Sequence, residues 1–190
     1  VRAVGGLRVA VLLVLAVAGI RIWGLPHFDS APSGGLAVGR PADTQPAVVE
    51  KVVDGDTIWV RVEQSGGRLP AGASHKIRLL EIDTPETVHP LLSVQCGGLR
   101  ATAFAEQLMP LGSTVHLLAD EEDVDQYGRF LRYVWTSDGE FFNLEAVRAG
   151  HARAVLYEPN DAYIDVMRAA EAEARSAKRG IWGDCGVPQG

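Results

Sequence analysis

Asp56, Arg78, Asp83, Thr84, Glu86 and Arg129 have the types and spacing to do chemistry on an anion. Most of them fall in one segment, KIRLLEIDTPE, Lys76 to Glu86. It begins as an apolar strand, yet holds a cation in its middle and two carboxylates around Thr-Pro at its exit. Asp56 follows a glycine turn and opens another strand. If those strands are neighbours, Asp56, Asp83 and the Thr84 carbonyl converge as hard oxygen donors. Such donors suit Ca²⁺, which takes roughly six to eight oxygens, with water completing the shell. A solvated turn carries the same two acids, and both readings stand on these residues alone. Arg78 shifts the balance. A guanidinium between Ile77 and Leu79 needs an anionic partner. That partner is either Glu81 or Glu86 in a salt bridge, or a substrate phosphate held by the two-pronged fork. Arg129, after Tyr127-Gly128, is a second guanidinium at a strand start.

The elements that must position these groups are legible from pattern. AVVEKVV leads through DGD into TIWVRV, where Ile58, Val60 and Val62 alternate with Trp59 and Arg61, and Asp-Gly between such runs marks a hairpin. Lys76 to Ile82, Thr114 to Ala119 and Arg129 to Trp135 read as three further strands. GLRATAFAEQLM, FNLEAVRAG and NDAYIDVMRAAEAEARSAKRG read as helices. Asn143 stands at the start of the second, Asn160 is placed to cap the third, and Ile164, Met167 and Ala170 or Ala174 share one of its faces. Five short strands and three helices in this order predict an α+β domain built on a small closed barrel. Barrel closure would bring Arg129 to the mouth that holds Arg78. One conflict follows from strand geometry: Arg78 and Asp83 have opposite parity, so a bend or bulge must re-aim the carboxylate. EQSGGRLPAGAS, within Glu63–Ser74, reads as a long exposed loop. DEEDVDQYG reads as a solvated turn in which Asp125 is placed to orient Arg129. The scattered His75, His89, His116 and His151 read as packing or surface residues.

The ends of the chain differ in character from the domain. Arg2 and Arg8 precede the apolar run Val9 to Ile20, which Arg21 closes, the layout of an export signal. Residues 1–25 are thus expected to be a signal peptide or a signal anchor, engaging a membrane or the export machinery. Residues 26–46 are a Pro/Gly/Ser-rich flexible linker, 47–185 the folded domain and 186–190 a tail. The expected location is secreted, or anchored to the outer face of the cytoplasmic membrane. Cys96 and Cys185 then read as a disulfide, with two unlinked thiols as the alternative. The net charge is −6. Four of the 18 basic and two of the 24 acidic residues precede Val49, so the remainder carries −8. Such a surface excludes broad electrostatic wrapping of nucleic acid and leaves only local cations for that task.

VVDGDTIWV, IRLLEIDTPE, DQYGRFLRYVW and NLEAVRAGHARA, with a terminal helix ending GIWG, resemble the staphylococcal (thermonuclease-type) nuclease family over about Ala47 to Gly183. The resemblance implies a five-stranded OB-fold barrel with three helices. It implies Asp56, Asp83 and the Thr84 carbonyl as calcium ligands, Glu86 as general base, and Arg78 and Arg129 as phosphate clamps. Asp54 would stand behind the ligands as a further acid, and Tyr127 and Tyr157 would line the nucleotide pocket. Another family tyrosine is replaced by Val155. The implied activity is calcium-dependent hydrolysis of DNA and RNA, single strands included, at the P–O5′ bond to leave 3′-phosphate ends, by a monomer. The alternative is a non-catalytic OB-fold module that holds single-stranded nucleic acid or a protein partner. Such a module has no physical need for both arginines, Glu86 and both aspartates together.

Overall fold

The computed structural model describes residues 37–87 and 93–185; the apolar leader, most of the linker and the tail lie outside them. The domain runs β1 (Gln45–Val52), β2 (Thr57–Val62), β3 (Ala73–Leu79), β4 (Ile82–Asp83), α1 (Gly98–Leu108), β5 (Thr114–Leu118), β6 (Phe130–Thr136), α2 (Phe142–Arg148), β7 (Arg153–Ala154), α3 (Ile164–Ser176) and α4 (Ile181–Asp184). β1, β2, β3, β6 and β5 form a closed barrel in that order, and β4 pairs with β7 outside it. Every barrel pairing is antiparallel except β3 with β6. This is the expected five-stranded OB-fold barrel with helices packed on it.

Alternation decides which side chains fill it. Ile58, Val60 and Val62 of β2 are buried while Trp59 and Arg61 face outward, as a half-buried strand requires. β1 bends at an irregularity between Val49 and Lys51, which helps a short strand curve into closure. The helices cover more apolar surface, α1 burying Ala101 and Ala105, and α3 Ile164, Met167, Ala170 and Ala174. Trp135 stacks on Phe141 at 4.3 Å, with Tyr133 and Tyr163 set edge-on around the pair.

Several local expectations give way to long-range contacts. The barrel begins at Gln45, and the Gln45 side chain clasps the long loop by accepting the Leu69 N–H and donating to the Leu69 carbonyl. Leu69 is buried, so the Glu63–Ser74 segment is exposed only in part. The acidic stretch is pinned as well. Asp123 pairs with buried Arg132 at 2.9 Å, and the Tyr133 hydroxyl lies between Glu81 and Asp120. A run of acids is a solvated turn only where no buried cation or hydroxyl claims it. Asn160 does not cap α3, which starts at Ile164 behind Tyr163. It is buried, and its Oδ1 accepts the Glu122 N–H.

Asn143 is likewise a core bridge and no cap. Its Oδ1 accepts the Val134 N–H and its Nδ2 donates to the Leu80 carbonyl, at 2.9 and 2.8 Å. Both partners are buried backbone groups that nothing else replaces once the amide is gone. Asn143→Ala is therefore expected to destabilise the protein by about 2–4 kcal/mol, read as a lower urea midpoint at unchanged slope.

Candidate active site

Three chain segments meet at the mouth of the barrel, and register brings them together. β2 pairs with β3 so that Thr57 faces Arg78, which sets Asp56 beside the guanidinium. Asp56 Oδ1 meets Arg78 Nη1 at 2.7 Å and accepts the Thr57 hydroxyl at 3.0 Å. Its Oδ2 accepts the Thr84 N–H at 2.9 Å and the Thr84 hydroxyl at 3.0 Å. Gly55 makes this approach possible, because a Cβ there would stand 2.7 Å from Thr84 Cγ2 and 2.8 Å from Ala101 Cβ. Asp54 closes the hairpin from behind by accepting the Asp56 N–H.

The parity conflict between Arg78 and Asp83 is resolved by a turn. β3 ends at Leu79, Glu81 takes φ 59°, and the chain resumes as β4 against β7. The reversal aims Asp83 back at Arg78, whose Nη2 donates to Asp83 Oδ1 at 3.2 Å and to the Tyr157 hydroxyl at 2.9 Å. Tyr157 is positioned from the far end of the domain, where the Asn160 N–H closes a tight turn on the Tyr157 carbonyl. Glu81 itself is not the Arg78 partner. Its carboxylate accepts the Tyr133 hydroxyl and the Tyr163 N–H instead.

Charge in this cluster is out of balance. Asp54, Asp56 and Asp83 surround one guanidinium. Burial, then the negative charge of Asp56, pushes the Asp54 carboxyl up to about 6. Burial also raises Asp83, although Arg78 pulls the other way. Burial disfavours the Arg78 cation, yet the acids around it, Asp56 first, outweigh that and raise its pKa above the ordinary value. The site therefore holds surplus negative charge and oxygen donors only. Among the described residues no three or more His, Cys, Asp or Glu side chains gather as a metal cage. The expected ligand residues are joined by direct contacts, Asp56 to Thr84 and both acids to Arg78.

Glu86 follows on the same loop, and Gln95 clamps it from two sides. The Gln95 N–H donates to the Glu86 carbonyl at 2.9 Å, and Gln95 Oε1 accepts the Glu86 N–H at 3.0 Å. Glu86 Oε1 accepts the Thr87 N–H at 2.9 Å. Next to Gln95, Cys96 is bonded to Cys185, 89 residues away; cross-links over loops of that length stabilise by about 4–5 kcal/mol in the chain-entropy model. A cleft of about 420 Å³ opens here, bordered by Asp83, Thr84, Gln95 and the disulfide.

Arg129 and Tyr127 form a second group. Arg129 Nε donates to Asp125 Oδ2 at 2.6 Å, and its guanidinium lies 5.4 Å from the ring centre of exposed Tyr127. Burial opposes the Asp125 charge, but the N–H donors of Arg129 and Tyr127 hold its pKa below the ordinary range. β6 pairs with β3 so that Arg78 faces Leu131, and Arg129 immediately precedes β6. Structure thus gathers Asp54, Asp56, Arg78, Asp83, Thr84 and Tyr157 by direct contact, whereas Arg129 stands just before β6 and is held by Asp125 and Tyr127. Pattern reading passed over Gln95, because its link to Glu86 spans a loop with no period. Val155, where the family tyrosine would stand, donates its N–H to the Glu81 carbonyl.

Comparison with known proteins agrees with this architecture. Residues 76–184, over half of the chain, match the family described as staphylococcal nuclease homologue. A thermonuclease of Staphylococcus intermedius is 38% identical over 135 residues, covering 71% of this chain and 74% of its own. A thermonuclease of Staphylococcus hyicus is 35% identical over 173 residues, 90% and 95% of the two chains. Endonuclease YncB of Bacillus subtilis (strain 168) is 38% identical over 140 residues, 73% of this chain and 62% of its own. With such identity extending over nearly the full length of a thermonuclease, and with a closed five-stranded barrel, the chain belongs to the staphylococcal nuclease family and is a nuclease.

Proposed function

We propose that this nuclease hydrolyses DNA and RNA in a calcium-dependent reaction, breaking the P–O5′ bond and leaving 3′-phosphate ends. The observation that carries the reading is the contact network of Asp56, Arg78, Asp83, Thr84 and Tyr157. Hydrolysis adds a water oxygen to phosphorus, expels the 5′-oxygen and builds negative charge on the equatorial oxygens. Arg78 and Arg129 grip those oxygens, and their hydrogen bonds strengthen as the charge grows. Glu86 takes the proton of the attacking water. Tyr157, bonded to Arg78, and Tyr127, beside Arg129, flank the nucleotide.

Asp56, Asp83 and the Thr84 carbonyl would hold the calcium ion, and three carboxylates gathered around one guanidinium fit a divalent cation there. Bound calcium supplies Lewis-acid polarisation of a phosphate oxygen. Contacts made to phosphate carry no base information, so cleavage is of low sequence selectivity. The apolar leader would deliver the domain outside the cytoplasm, secreted or held at the outer face of the membrane, where it acts as a monomer.

Treating the protein with excess EGTA is expected to abolish release of acid-soluble fragments from denatured DNA, and added Ca²⁺ to restore it. Undiminished cleavage in the chelator would remove the calcium assignment. End-group analysis of the fragments checks the bond: 5′-phosphate ends would contradict P–O5′ scission.

A further inference from the structure

Arg153 borders the proposed site but has no part in the proposed chemistry. β4 and β7 pair so that Arg153 stands directly opposite Asp83. It is partly buried and borders the 420 Å³ cleft beside Asp83 and Thr84. Arg78, Arg129, Arg132 and Arg148 each meet a carboxylate within the domain. Among the described residues Arg153 makes no ion pair, although Asp83 is its cross-strand neighbour. Asp83 feels its charge across the strand pair but does not close on it as an ion pair. A partly buried cation on the rim of a cleft, with a hydrogen-bonding fork that no carboxylate closes, is a site for an external anion.

The cleft has the form such a ligand needs. Its volume falls within the range of small-molecule sites, roughly 300–1,000 Å³. Pro85, Ile181 and the Cys96–Cys185 disulfide offer apolar wall, and Gln95 adds an amide. The lining is mainly polar, so a phosphate and its sugar hydroxyls are the groups it fits, with the phosphate at Arg153. The remainder of the domain carries −8 from Val49 onward, so a polyanion must be held by a few placed cations.

We propose that this cleft is a subsite for the nucleotide next to the scissile bond, with Arg153 binding that nucleotide's phosphate. This rests on the reading of Asp83 and Arg78 as the scissile-phosphate site. It makes the nuclease prefer strands longer than one linkage, because only those place a second phosphate in the cleft. The alternative role for Arg153 is to damp the charge of Asp83, on which it acts across the strand pair.

Substrate length separates the two roles. A dinucleotide has one phosphodiester and nothing for the subsite; a short oligothymidylate has flanking phosphates. The full chain and its Arg153→Ala and Arg153→Lys variants are compared on both. Near 0.1 M salt, Arg153→Ala is expected to cut the oligomer-over-dinucleotide advantage in kcat/KM by about fivefold, and to flatten log KM against log salt for the oligomer by about 0.7. Arg153→Lys, which keeps a cation, should restore the salt slope. Equal losses on both substrates with an unchanged slope would overturn the subsite and assign Arg153 to Asp83. A wild-type length advantage that Arg153→Ala retains in full would also overturn it, with the catalytic reading intact. A wild-type protein that cleaves neither substrate would overturn both.

Discussion

Glu86→Gln lowers the turnover of single-stranded DNA by about a hundred- to ten-thousandfold, with oligonucleotide binding changed only slightly. Glutamine keeps the shape and an acceptor oxygen, so the contact from the Thr87 N–H survives the change. The backbone clamp from Gln95 involves no Glu86 side-chain atom and survives too. What disappears is the lone pair basic enough to take a proton from water. The loss must therefore fall on kcat, since an interaction needed only in the transition state leaves substrate affinity alone. Steady-state rates and equilibrium binding of a labelled oligonucleotide, measured side by side, check it. A Glu86→Gln protein that cuts at the wild-type rate would deny Glu86 the role of base.

The second large effect belongs to Arg78, and it divides into two parts. Only 8% of the side chain is exposed, and its two terminal nitrogens reach Asp56, Asp83 and Tyr157. Arg78→Ala leaves Asp56 buried without its cation, which is expected to destabilise the fold by about 3–5 kcal/mol. That variant confuses stability with chemistry. Arg78→Lys separates them, because a lysine keeps the positive charge but offers one point where the guanidinium offers a fork. It should unfold at a urea concentration nearer to wild type, yet cleave about a hundred- to a thousandfold more slowly. Near-normal turnover in Arg78→Lys would mean that charge alone suffices and that two-pronged phosphate binding is not used.

The two variants also probe different physics. Glu86 sits on a loop tied down by Gln95 beside the disulfide, so its change leaves the barrel untouched. Arg78 joins β2, β3 and β4 through its acid partners, and its removal is felt by all of them. A residue that both clamps substrate and neutralises buried acids carries two burdens, and stability measurements are needed to weigh each.

What the amino-acid order determined by itself was the set of local faces. Alternation in TIWVRV, the stripe Ile164, Met167, Ala170 and Ala174, and the Asp-Gly hairpin all rest on contacts within a few residues. Those contacts repeat with the period of the strand or helix. The candidate residues Arg78, Asp83 and Glu86 stood out equally, since a cation inside an apolar strand and acids at its exit are anomalous wherever that strand packs. Tertiary structure alone decided the partnerships. Asp56 meets Thr84 across 28 residues, and Arg78 meets Tyr157 across 79. Such pairs form because barrel closure and the turn at Glu81 bring strand ends together, and no local period records that. Asn143 and Asn160 went to buried backbone groups in place of helix caps for the same reason. An amide side chain satisfies whichever unpaired donor the fold buries beside it, and only the closed barrel specifies which donor that is.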